Sequence, residues 1–269
     1  MFGINSGESI PQEILNSYEG WDTYMGHLWY HLLYFCNLKK SDIIIEVAPG
    51  SSNKIAQALA KINFSGTLYV VEPHAKIVNV INDSYKKWLP QANIIILNEL
   101  LEHSLNKLPC NADFIISNHP LDDMLLSANL TSAELNELFD WAADMPSATF
   151  DSTINVWNRL NNNSEQLIAN REHVLKTWHA GITDLKPKTV ILSQYPSFMM
   201  ESKGLNQLNR WGWHLLQQLR EAYQKQIISE QLVQTILNSL KNYNDPHFGL
   251  EILNAQYWLL IKTNWTNSV

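Results

Sequence analysis

Between residues 41 and 126, short apolar runs alternate with segments whose apolar positions recur every three or four residues. That rhythm predicts strands joined by crossover helices, the pattern of a parallel sheet covered on both faces. Ile43-Ile44-Ile45-Glu46-Val47 is β-branched and nearly all apolar, so it reads as a strand buried on both sides. It ends at Pro49-Gly50, and the stretch through Lys61 then carries Ile55, Ala56, Leu59, Ala60 and Ile62 at helical spacing. The unit repeats with a strand over 67–71 and a helix over about 75–88, where Ile77, Val80, Ile81 and Trp88 share one side. Residues 93–97 and 112–116 supply a third and a fourth strand, and KTVILSQ over 188–194 a fifth.

After Leu126 the pattern turns helical through about residue 182. Thr131 and Glu134 stand at capping-box spacing at its start, and Asn161-Asn162-Asn163 divides it. The segment at about 127–187 is therefore an insertion between the fourth and fifth strands, and its position beside the strand ends predicts a substrate cap. Helices are expected over about 204–224 and 229–242, followed by 248–253 and 255–263 as a closing antiparallel pair of strands. Residues 1–40 form a separate helical arm in which Tyr18, Trp21, Tyr24, Trp29, Tyr30, Tyr34 and Phe35 crowd together. Such rings either pack on the sheet as core or, for a minority, form a lid over a pocket, with Tyr24, Tyr30 and His31 as the arm's expected substrate contacts. The expected architecture is α/β: a Rossmann-like, doubly wound, mostly parallel seven-stranded sheet with an antiparallel closing strand. One domain spans 41–269, with the N-terminal arm and the helical insertion added to it.

Composition narrows the function. At 45% hydrophobic and 17% charged residues over 269 positions, the chain can bury a large core without disulfides or metal. Its 26 acidic residues outnumber 19 basic ones, the reverse of what a duplex-binding surface needs, so a small-molecule partner is favoured over nucleic acid. With two cysteines, no basic start followed by an apolar run, and no apolar stretch near the ~20 residues that span a bilayer, a soluble cytoplasmic protein is expected, with no membrane partner.

In an open parallel sheet, ligands sit outside the carboxyl ends of the strands. The first of these ends is Glu46-Val47-Ala48-Pro49-Gly50-Ser51-Ser52. It lacks the G-x-G-x-x-G of a dinucleotide site, and Lys54 is not set in the G-x-x-x-x-G-K-[ST] of a phosphate-cradling loop. Glu72, followed by Pro73, lies twenty-two residues beyond Gly50 at the end of the second strand, where a carboxylate can accept hydrogen bonds from both hydroxyls of a ribose. A ribose without a pyrophosphate cradle fits these ends.

This arrangement resembles the class I S-adenosylmethionine-dependent methyltransferases over about 43–126. The acidic-x-x-x-Gly turn is matched by Glu46 to Gly50, and the family's ribose-binding acid by Glu72. The adenine-contacting acid after the third strand is matched by Glu99, with Asn98 beside it, and the motif after the fourth strand by 113–123. The turn departs from the glycine-richer form at Ala48 and Ser52. The resemblance implies S-adenosyl-L-methionine as cofactor and a transferase, with a methyltransferase acting on a small molecule as the leading expectation. Transfer of the aminocarboxypropyl group, or a non-catalytic cofactor-binding or interaction role, are the alternatives.

Asn118-His119-Pro120-Leu121-Asp122-Asp123 lies where an acceptor would be handled. His119 can act as a base near neutral pH, and Asp122 or Asp123 can bind a substrate cation or take the proton. The segment is similar to the Asp/Asn-Pro-Pro-aromatic motif of amino-methylating enzymes, but His119 replaces the first proline and Leu121 the aromatic ring. Tyr195, after the fifth strand, faces the same crevice and is a further substrate-contact candidate. His27 and His31 would share a helical face, yet no third ligand stands at a recognisable spacing, so no metal is expected.

Overall fold

The computed structural model describes residues 18–143, 151–197, 200, 203–238 and 250–263. Six strands form one sheet among these residues: β1 (Ile43–Val47), β2 (Thr67–Val71), β3 (Asn93–Leu97), β4 (Phe114–Asn118), β5 (Thr189–Ser193) and β6 (Trp258–Lys262), in the order β3-β2-β1-β4-β5-β6. All neighbours pair in parallel except β5 with β6. The helices are α1 (Tyr18–Phe35), α2 (Lys54–Lys61), α3 (Ala75–Trp88), α4 (Leu101–Ser104), α5 (Leu121–Ser127), α6 (Ser132–Ala143), α7 (Asp151–Asn161), α8 (Ser164–Leu185), α9 (Asn206–Ala222) and α10 (Glu230–Asn238).

Strand residues alternate between two cores because side chains in a strand point to opposite faces at a period of two. Ile44, Leu68, Val70 and Ile116 join α1, α2 and α3 on one face. Ile45, Val47, Val71 and Ile115 join α5, α8 and α9 on the other. The alternation sends Glu46 to the α1 side, under α3. Strand order reverses at β1, whose neighbours are β2 and β4, and this is the switch point where a crevice opens at the strand ends.

The arm packs as core over much of its length: Tyr24, Met25, Leu28, Trp29, Leu32 and Leu33 are buried, while Tyr34 and Phe35 are exposed. It lies close on α2 because Gly26 leaves room; a β-carbon there would stand 3.0 Å from Gln57 Cβ and 3.1 Å from the Lys54 carbonyl oxygen. The insertion starts as its spacing predicts, with Thr131 N–H donating to Glu134 Oε2 at 2.8 Å and Glu134 N–H to Thr131 Oγ1 at 3.3 Å. Asn163 caps α8, its Oδ1 accepting from Gln166 N–H at 3.1 Å.

Among the described residues the sheet has six strands where seven were expected, and the expected closing hairpin is corrected. Residues 248 and 249 lie outside the described residues, and Leu250–Leu253 is a 3-10 turn. Trp258 Nε1 donates to the Ile252 carbonyl at 2.8 Å, and Gln234 Nε2 to that of Leu253 at 2.8 Å, so side chains occupy backbone groups that a strand would pair. The free edge of β6 is met instead by residues 226–228. Ile228 N–H donates to the Leu260 carbonyl at 2.8 Å, Lys262 N–H donates to that of Gln226 at 3.0 Å, and Ile227 forms one antiparallel bridge with Ile261. No helix among the described residues is long and apolar enough to cross a membrane.

Candidate functional site

The strand ends at the switch point open onto a cavity of about 460 Å³. That is within the ~300–1,000 Å³ usual for small-ligand sites. Its walls include the turn 47–52, Lys54, Glu72, Pro73, Asn118, His119, Asp122, Asp123 and Tyr195, with Trp21 from the arm and Phe139, His173 and Val174 from the insertion.

The turn after β1 takes two left-handed residues, Ala48 at φ +50° and Gly50 at φ +63°. Gly50 is needed for its backbone rather than for space, since a β-carbon there would meet nothing within 4 Å. Its N–H donates to Glu72 Oε2 at 3.3 Å. The start of α2 is held from the arm: Asp22 accepts from Asn53 N–H at 2.8 Å and from the Ser52 hydroxyl.

Glu72 is buried at the end of β2, with Oε1 accepting His74 N–H at 3.0 Å. It does not cap α3; His74 does, its Nδ1 accepting Ile77 N–H at 3.2 Å. Each Glu72 oxygen therefore has one backbone donor and keeps lone-pair capacity toward the cavity. Burial pushes its carboxyl up to about 7, although both N–H donors pull it down.

Glu46 is not in the cavity wall. It lies beneath the turn, where the Tyr85 hydroxyl donates to Oε1 at 3.0 Å and lies 3.1 Å from Oε2. Burial raises its carboxyl to about 8, against the Tyr85 bond and the nearby Lys54 charge. Asn98 and Glu99 also lie outside the wall. Asn98 Nδ2 donates to the carbonyls of Glu72 at 3.0 Å and Pro73 at 2.9 Å, bracing the end of β2. Glu99 pairs with Lys107 at 2.7 Å, while Leu100, Leu101 and Glu102 line the cavity, Glu102 lying 3.0 Å from His173 Nε2. On the arm, Tyr24, Tyr30 and His31 are outside the wall and Trp21 is in it.

At the end of β4 the Asn118 side chain is fixed from three elements. Oδ1 accepts from Trp29 Nε1 at 3.0 Å and from the Ser193 hydroxyl at 3.2 Å, and Nδ2 donates to the Tyr195 hydroxyl at 2.9 Å. The arm thus reaches the centre of the site through Trp29. Trp29→Phe removes that donor and is expected to weaken ligand binding in the cavity by about three- to tenfold, one hydrogen bond being worth about 1 kcal/mol; calorimetric titration reads it.

His119 takes a left-handed backbone, φ +61°, and both ring nitrogens face acceptors: Nε2 the Tyr195 carbonyl, Nδ1 the Asp122 carboxylate at 3.3 Å. Burial opposes a charge on the ring, but Asp122, Asp123 and the carbonyl outweigh it and raise its pKa. Both ring nitrogens of His119 are thus engaged by groups that follow β4 and β5. Asp122 is buried against it and accepts Asp123 N–H at 3.1 Å. Asp123 is half-buried in the wall, and its carboxyl makes no hydrogen bond to a described residue. Burial and then Asp122 raise its pKa well above the usual range.

Behind His119, Gln194 Oε1 accepts Leu121 N–H at 2.9 Å, and its Nε2 lies 3.3 Å from the His119 ring. Gly212 of α9 makes room for it, since a β-carbon would be 2.7 Å from Gln194 Nε2 and 3.2 Å from Asp122 Cβ. Gly212→Ala is expected to destabilise the fold by about 1–3 kcal/mol by overpacking, measured by urea unfolding.

Lys54, Trp21, Glu102 and His173 line the cavity without having been singled out from sequence as ligand contacts. Trp21 stood among the arm rings weighed as a lid, and Lys54 carried a local signal at the start of α2; burial lowers its ammonium pKa, with Asp22, Glu46 and Asp123 opposing. Among the described residues no three His, Cys, Asp or Glu side chains cluster as a metal site. His27 Nε2 instead lies 3.2 Å from Lys61 Nζ.

The mostly parallel sheet with one antiparallel pair and helices on both faces is a Rossmann-like α/β arrangement. No family model and no curated protein matches it. Solved structures similar to it include NSun6 from Pyrococcus horikoshii with SFG, at 16% identity and a TM-score of 0.37, over 70% of this chain and 40% of that one. The chain thus spans about two fifths of that structure's length. A fibrillarin/Nop5p complex is similar at 11% identity and a TM-score of 0.41, over 97% and 88% of the two chains. MccD protein is similar at 10% identity and a TM-score of 0.36, over 88% and 95%.

Proposed function

We propose that the cavity binds S-adenosyl-L-methionine and that the protein is a transferase, a methyltransferase acting on a small molecule. The observation that carries this reading is Glu72: a buried carboxylate in the cavity wall, tied to the Gly50 amide, with spare acceptor capacity on both oxygens. A ribose diol needs that pair of acceptors, and the left-handed turn 48–52 beside it has no phosphate-cradling glycines. The residues present fit the cofactor: Glu72 for the sugar, the turn and the start of α2 for the amino-acid end, and Ile77, Leu100 and Leu101 as apolar cover for the base.

When bound, the cofactor supplies an activated carbon on a positively charged sulfur. The chain's own task is then positioning and proton handling. Asn118, braced by Trp29, Ser193 and Tyr195, offers a fixed polar edge, and Asp123 takes the acceptor's proton at its carboxylate. The walls that the arm and the insertion add to the cavity support a small acceptor, as does the presence of Lys54 without any arginine in the described wall.

Calorimetric titration with S-adenosylmethionine, its demethylated product and NAD tests the reading. Binding of the first two and none of NAD is expected, and a preference for NAD overturns it. The mass added to the acceptor distinguishes methyl from aminocarboxypropyl transfer.

A further inference from the structure

The acidic groups of the cavity exceed what its own cations neutralise. His119 is spent on Asp122 and the Tyr195 carbonyl, and Glu102 faces His173. Lys54 lies among Asp22, Glu46 and Asp123. Asp123 still presents a carboxyl without a hydrogen bond to any described residue, and no arginine in the described wall offers the planar fork that an anionic acceptor would use.

An aromatic corner lines the same cavity. Trp21 and Tyr195 both line the cavity and meet edge to face, with centroids 6.1 Å apart and planes at 69°. The corner is continuous with the acids through His119, whose ring is 4.7 Å from that of Tyr195 and whose Nδ1 is 3.3 Å from Asp122. Ring faces attract a cation, more so where water is excluded, and a carboxylate at the next position supplies the opposite charge.

Resting on the reading of the cavity as a transferase site, we infer that the acceptor is an amine, taken up as its ammonium between the Trp21–Tyr195 corner and the Asp123 carboxylate. Docking also gives the Asp123 carboxyl a direct hydrogen-bond donor, which no described residue supplies to it. Proton transfer then breaks one ammonium N–H bond and forms one Asp123 O–H bond. Both charges vanish, and the nitrogen keeps a lone pair for attack. An Asp123 carboxyl held above its ordinary range accepts that proton more readily than a solvent-exposed aspartate would.

The test is calorimetry on the full chain, with and without S-adenosylmethionine, using a panel of amines each matched by a neutral and an anionic isostere, such as phenethylamine, 2-phenylethanol and phenylacetate. At least one amine is expected to bind ten or more times tighter than both of its isosteres. Asp123→Asn is expected to erase that preference while S-adenosylmethionine binding stays within threefold, and Trp21→Leu to weaken amine binding severalfold. Normal cofactor binding with no amine preference in the panel, or a preference that Asp123→Asn leaves intact, overturns the inference while the transferase reading stands. Absence of cofactor binding overturns both.

Discussion

Glu72→Ala is expected to weaken S-adenosylmethionine binding at least about 100-fold, since two charge-assisted hydrogen bonds to sugar hydroxyls are lost at about 1.5–3 kcal/mol each. Water entering the cavity can take over the Gly50 and His74 N–H groups, so the fold should persist, and near-ultraviolet circular dichroism checks that it does. Affinity in the unaltered protein should also depend on pH. Burial holds the free Glu72 carboxyl at about 7, whereas hydroxyl donors favour its ionised form, so binding releases a proton. Below pH 7 the dissociation constant should rise by up to about tenfold per pH unit, and above pH 8 it should level off. The Ala variant should lose this dependence. Equal affinity for the two proteins across that range would remove Glu72 from the site.

Glu46 should contribute strongly to the pH dependence of stability. A carboxyl raised from 4.5 to about 8 in the fold binds a proton there that the unfolded chain has already released. Between those values the native state holds more protons than the unfolded one, so stability falls as pH rises. A shift of this size corresponds to about 5 kcal/mol at full development. Glu72, raised to about 7, and His119, also raised, act in the same direction: each favours the fold at low pH and ceases to do so as pH passes its folded value. Glu46→Gln isolates its share, because the amide keeps an acceptor for Tyr85 and carries no charge. Urea unfolding at pH 5 should find the variant close to the unaltered protein, and at pH 8.5 several kcal/mol more stable. Parallel stability curves for the two proteins would place Glu46 in solvent contact that the fold denies it.

Periodicity alone located β1 to β5, the helix at 75–88, the break at Asn161-Asn162-Asn163 and the capping box at Thr131, because burial on both sheet faces and local hydrogen bonding leave marks within a few residues. It also located Glu72 and the turn 48–52 at the strand ends, since a parallel sheet opens there whatever covers it. The closing strand was legible only as an apolar run. Whether 250–253 paired with it depended on Gln234 and Trp258, which reach its carbonyls from outside the segment.

What the tertiary structure decided is which polar side chains share a space and which are already spoken for. Glu46 and Glu99 look alike in sequence, yet one is closed off by Tyr85 and the other drawn to Lys107. Asp122 and Asp123 are neighbours in one helical turn, but only the first meets His119. Trp29 reaches Asn118 across 89 positions, and Tyr195 reaches it across 77. Partnerships of that kind depend on distances that close only when the chain folds, and a linear pattern of hydrophobic and polar residues contains no record of them.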